Sequence, residues 1–119
     1  MKGSCHCGAV RFELDSAPAE LSECNCSLCR RIGGLWAYYP LEAFRLTSDR
    51  ETLVSYIQGD RTIATFHCRI CGCTSHWEGL PGSGAERGGE RPRVGVNMRL
   101  VEDLDLEAIP LRKVDGASF

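Results

Sequence analysis

The stretch Phe66-His67-Cys68-Arg69-Ile70-Cys71-Gly72-Cys73-Thr74-Ser75-His76-Trp77 reads as strand, cysteine turn and strand. Upstream, residues 52–58 (TLVSYIQ) are rich in β-branched and aromatic residues, and residues 62–67 (TIATFH) alternate, with Ile63 and Thr65 on one face. Gly59-Asp60 between them is a turn signal, so the two runs predict a hairpin that feeds into Cys68. Residues 74–77 predict the next short strand. In a C-x-x-C-G turn the glycine after the second cysteine tolerates positive φ and keeps the backbone close to the sulfur.

A similar turn, Cys5-His6-Cys7-Gly8, stands near the start, and a third group, Cys24-Asn25-Cys26-Ser27-Leu28-Cys29, lies between the two. Eight cysteines in 119 residues is below the density of a disulfide scaffold but far above ordinary cytosolic usage. Partners two residues apart in extended chain point the same way without disulfide geometry. In a reducing compartment such tight sets read as metal-binding or redox-active. A thioredoxin-like pair belongs with a βαβ pattern, which nothing around Cys68 supplies.

Elsewhere the chain is also β-rich. Residues 9–14 (AVRFEL) put Val10, Phe12 and Leu14 on one face of a half-buried strand, and residues 36–39 predict another that ends at Pro40. Residues 41–44 predict one helical turn after that proline, and residues 94–100 (VGVNMRL) a late strand. Residues 79–92 are Gly- and Pro-rich and read as a loop. The acidic run 102–106 suits a single helical turn on a solvated face, with residues 109–114 after it. The expected fold is mainly β, one domain over residues 1–119 built of short antiparallel strands and stapled by zinc.

Lys plus Arg number 14 against 16 Asp plus Glu, a formal charge of −2, which argues against a nucleic-acid-binding face. No apolar run approaches the ~20 residues of a membrane span. The opening MKGSCHCGAV is too polar for a signal peptide, so a soluble cytoplasmic protein is expected.

The cysteine groups divide by kind. Cys5, Cys7, Cys68 and Cys71 form two half-sites that add up to one four-thiolate structural clamp. Cys24, Cys26 and Cys29 offer three thiolates, and three protein ligands leave a position open, as in catalytic zinc. Cys73 is left over: if it reaches the second ion, that site closes at four sulfurs and becomes structural. Tetrahedral sulfur sites also suit iron. Three thiolates on a divalent ion carry a net −1, which favours a soft thiol substrate over water ionisation. Arg30 and Arg31 follow Cys29, placed to offset that charge or to grip a substrate carboxylate; a solvated surface pair is the plainer reading. His6, His67 and His76 flank the cysteines, with His76 or water available as proton donor. Trp36, Tyr38 and Tyr39 suit either a pocket wall or strand packing.

The pieces GSCHCGAVRFEL (3–14), CNCSLCRRIGG (24–34) and FHCRICGCTSHW (66–77), with VNMRL (96–100), resemble the glutathione-dependent formaldehyde-activating enzyme family, which includes centromere protein V. The resemblance implies a β-tent fold. It also implies zinc chemistry that joins formaldehyde to glutathione as S-hydroxymethylglutathione, with structural zinc on Cys5, Cys7, Cys68 and Cys71 and the catalytic ion on Cys24, Cys26 and Cys29. The chain is shorter than the namesake, and Cys73 stands where the namesake's pattern has a small or polar residue. The expected activity is that of a zinc-dependent carbon–sulfur lyase or synthase acting on adducts of a small thiol such as glutathione. The competing expectation is a zinc-stabilised binding module without chemistry, with Cys73 as eighth ligand. A redox or metal-buffering protein is the third.

Overall fold

The structure is a computed structural model that describes residues 1–57, 62–80 and 93–118. Apolar alternation in residues 9–14 produces the strand it predicts. Val10, Phe12 and Leu14 are fully buried, the last two in β2 (Arg11–Leu14). That strand pairs antiparallel with β1 (Lys2–Ser4) on one side and β5 (Phe44–Leu46) on the other, giving a three-stranded sheet.

The second sheet has seven strands. Its members are β3 (Leu21–Cys24), β4 (Trp36–Pro40), β6 (Leu53–Ile57), β7 (Ile63–Cys68), β8 (Thr74–Gly79), β9 (Arg93–Asn97) and β10 (Leu111–Val114). They lie in the order β10-β3-β4-β9-β8-β7-β6. The sheets share a core in which Phe12, Leu14 and Phe44 of the small sheet meet Leu21, Ala37, Tyr39, Val94 and Val96 of the large one. Each large side chain fully withdrawn from water there contributes ~1.5–3 kcal/mol. A smaller cluster joins Cys5, Val10, Leu53 and Cys68, so one cysteine of each turn is itself core.

The predicted hairpin is β6–β7, with Leu53 opposite Cys68. Its turn residues Gly59 and Asp60 lie outside the described residues. The buried side of β7 carries Ala64, half-buried Phe66 and Cys68, whereas Ile63 is exposed. The sheet therefore packs on the face opposite to Ile63 and Thr65. Of the stretch read as a loop, Gly79 is instead the last residue of β8, and residues 81–92 lie outside the described residues. The turn after Pro40 forms as a 3-10 turn, Leu41–Ala43.

Two late elements differ from the sequence reading. β9 stops at Asn97 rather than running to Leu100, because the Asn97 carboxamide oxygen accepts the Arg99 N–H and turns the chain into a 3-10 turn, Met98–Leu100. β10 lies parallel to β3, the one parallel pair in an otherwise antiparallel set among the described strands. The chain crosses back after β9 to reach the free edge of β3 in the same direction. Among the described residues no helix is long and apolar enough to cross a membrane.

Phe12 is buried and packs against Phe44 in a tilted pair, 5.4 Å between ring centroids. Replacing Phe12 with Ala is expected to destabilise the protein by ~3–5 kcal/mol, read from denaturant unfolding of the metal-loaded form.

Candidate metal centres and the cavity beside one of them

The turns after β1 and β7 bring Cys5, Cys7, Cys68 and Cys71 together, all four sulfurs lying within 4.8 Å of one another. Cys7 Sγ stands 3.6 Å from both Cys5 Sγ and Cys68 Sγ. Disulfide sulfurs are ~2.05 Å apart, whereas two sulfurs on a tetrahedral zinc, each at ~2.3 Å, stand ~3.8 Å apart. The spacing therefore fits a four-sulfur metal site. Backbone amides point at the sulfurs: Val10 N–H at Cys5 (3.3 Å), and Ile70 and Cys71 N–H at Cys68 (3.3 and 3.5 Å). Gly8 and Gly72 close these turns at φ +83° and +79°, the left-handed conformation their positions suggested.

Cys24, Cys26 and Cys29 form a second group with sulfurs within 4.8 Å. Cys24 ends β3. Cys26 is the N-cap of α1 (Ser27–Ile32), its sulfur accepting the Cys29 N–H at 3.3 Å. One helical turn thus holds Cys26 and Cys29 on the same side, and the strand end delivers Cys24. The C-terminal segment packs over this group. Asn25 N–H donates to the Val114 carbonyl, and its side chain bonds Asp115 and the Ala117 N–H. A Cβ at Gly116 would lie 2.5 Å from Cys24 Sγ, so only glycine lets the backbone pass so close to the sulfur.

A cavity of about 470 Å³ opens beside the second group, with Cys24 and Cys29 in its wall. Arg30, Arg99, Lys113, Glu23 and Asp115 supply its charges. Lys113 is paired with Glu23 at 2.9 Å, and Asp115 accepts from Asn25 at 3.0 Å. Arg31 lies outside the lining; its guanidinium donates to the Ser27 carbonyl of its own helix at 2.8 Å.

The profile of the glutathione-dependent formaldehyde-activating enzyme family matches residues 1–98, which contain both cysteine groups. The chain belongs to this family. A Halomonas elongata protein that carries the family's name is 39% identical over 79 residues, 66% of this chain and 46% of that protein. The chain thus aligns to about half the length of that relative. A crystal structure of a Rhodobacter sphaeroides protein superposes with a TM-score of 0.74 at 33% identity, covering 94% of this chain and all of the other.

Cys73 stands at the first group of this family member, not the second. Its carbonyl accepts the Cys68 N–H at 2.9 Å. The His6 N–H lowers its thiol pKa, but burial and the neighbouring Cys71 and Cys5 sulfurs outweigh that and leave it raised. It shares a cavity wall with Cys5, His6 and Cys7.

Proton sharing inside each group suits a cation. The N–H groups of Cys7 and then Cys73 pull Cys71 down to about 5. The Ala9 N–H also favours ionised Cys7, yet desolvation and the sulfurs of Cys5, Cys68 and Cys71 push it up to about 11. In the second group Cys26 is partly desolvated, but N–H donation from Cys29 brings it down. Cys29 is raised by burial first and by its two neighbours next. Each group thus holds sulfurs of raised and lowered acidity side by side, and a divalent cation bound there would displace the thiol protons.

The other sequence candidates sit elsewhere. His76 is completely buried, its ring between Phe44 (4.6 Å) and Phe66 (4.8 Å), bonded to Ser75 Oγ at 2.8 Å and Glu78 Oε1 at 3.3 Å. That places it in the core and away from the cavity wall, so it is no proton donor there. Tyr38 and Tyr39 line a different cavity, toward residues 16–20. Trp36 packs beneath Gly34, a residue of the cavity wall, and its Nε1–H has no partner among the described residues. Sequence reasoning missed Arg99, Lys113 and Asp115. Arg99 lay within the quoted VNMRL stretch, but nothing local marked it as a wall residue.

Elemental analysis of variants checks the two groups. Cys73→Ser is expected to keep the full metal content, Cys29→Ser to lose one equivalent while staying folded, and Cys5→Ser to lose the native fold.

Proposed function

We propose that this family member is a zinc-dependent carbon–sulfur lyase, and in reverse a synthase, acting on thiol–aldehyde adducts such as S-hydroxymethylglutathione. The observation that carries the reading is a three-cysteine group, two of whose members line a cavity with a guanidinium that has no partner among the described residues. Cys5, Cys7, Cys68 and Cys71 would hold the structural zinc, and Cys24, Cys26 and Cys29 the second ion. Cys73's place beside the first group supports three sulfurs at the second rather than four. Zinc, when bound there, supplies Lewis acidity that favours an ionised substrate sulfur at neutral pH.

In synthesis the thiol sulfur forms a bond to the formaldehyde carbon, the carbonyl π pair moves to oxygen, and the thiol proton ends on that oxygen. Lysis reverses each change. The chain's own residues bind and orient. The Arg30 guanidinium has no partner among the described residues, and it follows Cys29 directly, so it is free to hold a carboxylate beside the sulfurs. Arg31 instead serves its own helix. The cavity's size falls in the range of small-molecule sites, about 300–1,000 Å³. A reducing cytoplasm, where thiols stay free, suits a chain with eight unbridged cysteines. The acidic balance still argues against nucleic acid.

The test is NMR exchange spectroscopy of glutathione, formaldehyde and their adduct with the metal-loaded protein. Exchange faster than in buffer is expected, with Arg30→Ala weakening glutathione binding ~10-fold and Arg31→Ala unchanged. Exchange at the buffer rate with both metal equivalents present would overturn the enzyme reading in favour of a binding module.

A further inference from the structure

We propose that Arg99 forms the second carboxylate subsite of this cavity, selecting thiols that carry acidic groups away from the sulfur. The inference rests on the thiol reading above and deepens it. Arg99 lies just beyond the segment matched by the family profile, on the 3-10 turn after β9.

Arg99 is fixed at both ends of its stem. Its backbone N–H donates to Asn97 Oδ1 at 3.3 Å. Asn97 is itself buried, and its amide donates to the Thr74 carbonyl at 2.9 Å, which ties the turn to the central sheet. At the other end, Arg99 Nε donates to the Gly33 carbonyl at 2.9 Å. Gly33 caps the helix bearing Cys29, its own N–H bonding the Cys29 carbonyl at 2.9 Å. The guanidinium is therefore held at a set place relative to Cys29, with its Nε committed. Both Nη groups are without partners among the described residues, and the side chain lines the cavity. A planar fork with two free donors matches a carboxylate.

Charge in the cavity points to the same ligand. Glu23 is paired with Lys113, and Asp115 keeps its negative charge while bonded to the neutral Asn25 amide. The cationic groups of this lining with no ion-pair partner among the described residues are therefore the two guanidiniums, Arg30 and Arg99. Arg30 comes from the helix and Arg99 from the turn after β9, two independent elements flanking the sulfurs. A thiol with two carboxylates uses both, whereas one with none leaves both unsatisfied.

The experiment uses the metal-loaded protein, with glutathione and carboxylate-free 2-mercaptoethanol as probes in isothermal titration calorimetry at low salt. Arg99→Gln is expected to weaken glutathione ~10- to 100-fold and to leave 2-mercaptoethanol within about twofold. Arg99→Lys, which keeps charge without the fork, is expected to fall between Gln and wild type. Unchanged glutathione affinity in Arg99→Gln would overturn the subsite, as would equal loss of both thiols, which marks a structural role. If wild type binds glutathione no better than 2-mercaptoethanol, the carboxylate subsite fails while the thiol reading stands. If wild type binds neither, both fall.

Discussion

Sulfur atoms from the beginning and the middle of the chain meet, and most of the architecture serves that meeting. Cys7 and Cys68 are 61 residues apart in sequence and 3.6 Å apart in space. Cross-linking so long a loop removes much of the unfolded chain's freedom, so a cation held there acts on the whole fold. The constraint is rigid on both sides. Cys5 and Cys68 are core residues, packed with Val10 and Leu53, and each sulfur takes backbone N–H donors from its own turn. The small sheet carries one pair of cysteines and the large sheet the other, and the same contact that joins the sheets joins the four sulfurs.

The second group is built on a looser frame. A strand end, one capped helical turn and a returning C-terminal strand surround it, and none of the α1 residues is fully buried. Local backbone with little packing behind it is suited to a site that admits a ligand, as a core position is not. The groups differ in support: the first has two of its cysteines in the core, whereas the second stands on the short helix and strand end beside the larger charged cavity. Cys73 fits this division, its extra sulfur standing beside the packed group. The cavity's other wall comes from residues far along the chain: Lys113 and Asp115, delivered by the parallel pairing of β10 with β3, and Arg99, delivered by the 3-10 turn after β9.

Much of the fold was legible because its signals are local. Alternation and β-branched or aromatic content located β2, β4, β6, β7 and β9, with β9 ending three residues earlier than read, and the two Cys-Gly turns carried their positive φ as glycines must. What failed did so for reasons of packing. Residues 62–67 alternate either way, and which face turned inward was decided by the partner sheet, so Ile63 ended exposed and Ala64 buried. β1 and β3 escaped notice: three residues of KGS and four of LSEC hold too little pattern, and both are strands because a neighbour pairs with them. His76 beside the cysteines invited a chemical role, but two phenyl rings and Glu78 hold it in the core.

Sequence alone determined which cysteines stand in short-range sets, that their turns suit glycine, and that the chain is β-rich and of acidic balance. These depend on spacing of a few residues, where backbone geometry leaves few choices. Tertiary structure alone decided where Cys73 stands, which of two adjacent arginines reaches the cavity, and that Arg99 faces it from the turn after β9. Those facts concern distances between residues far apart in the chain, which only the packing of the two sheets determines.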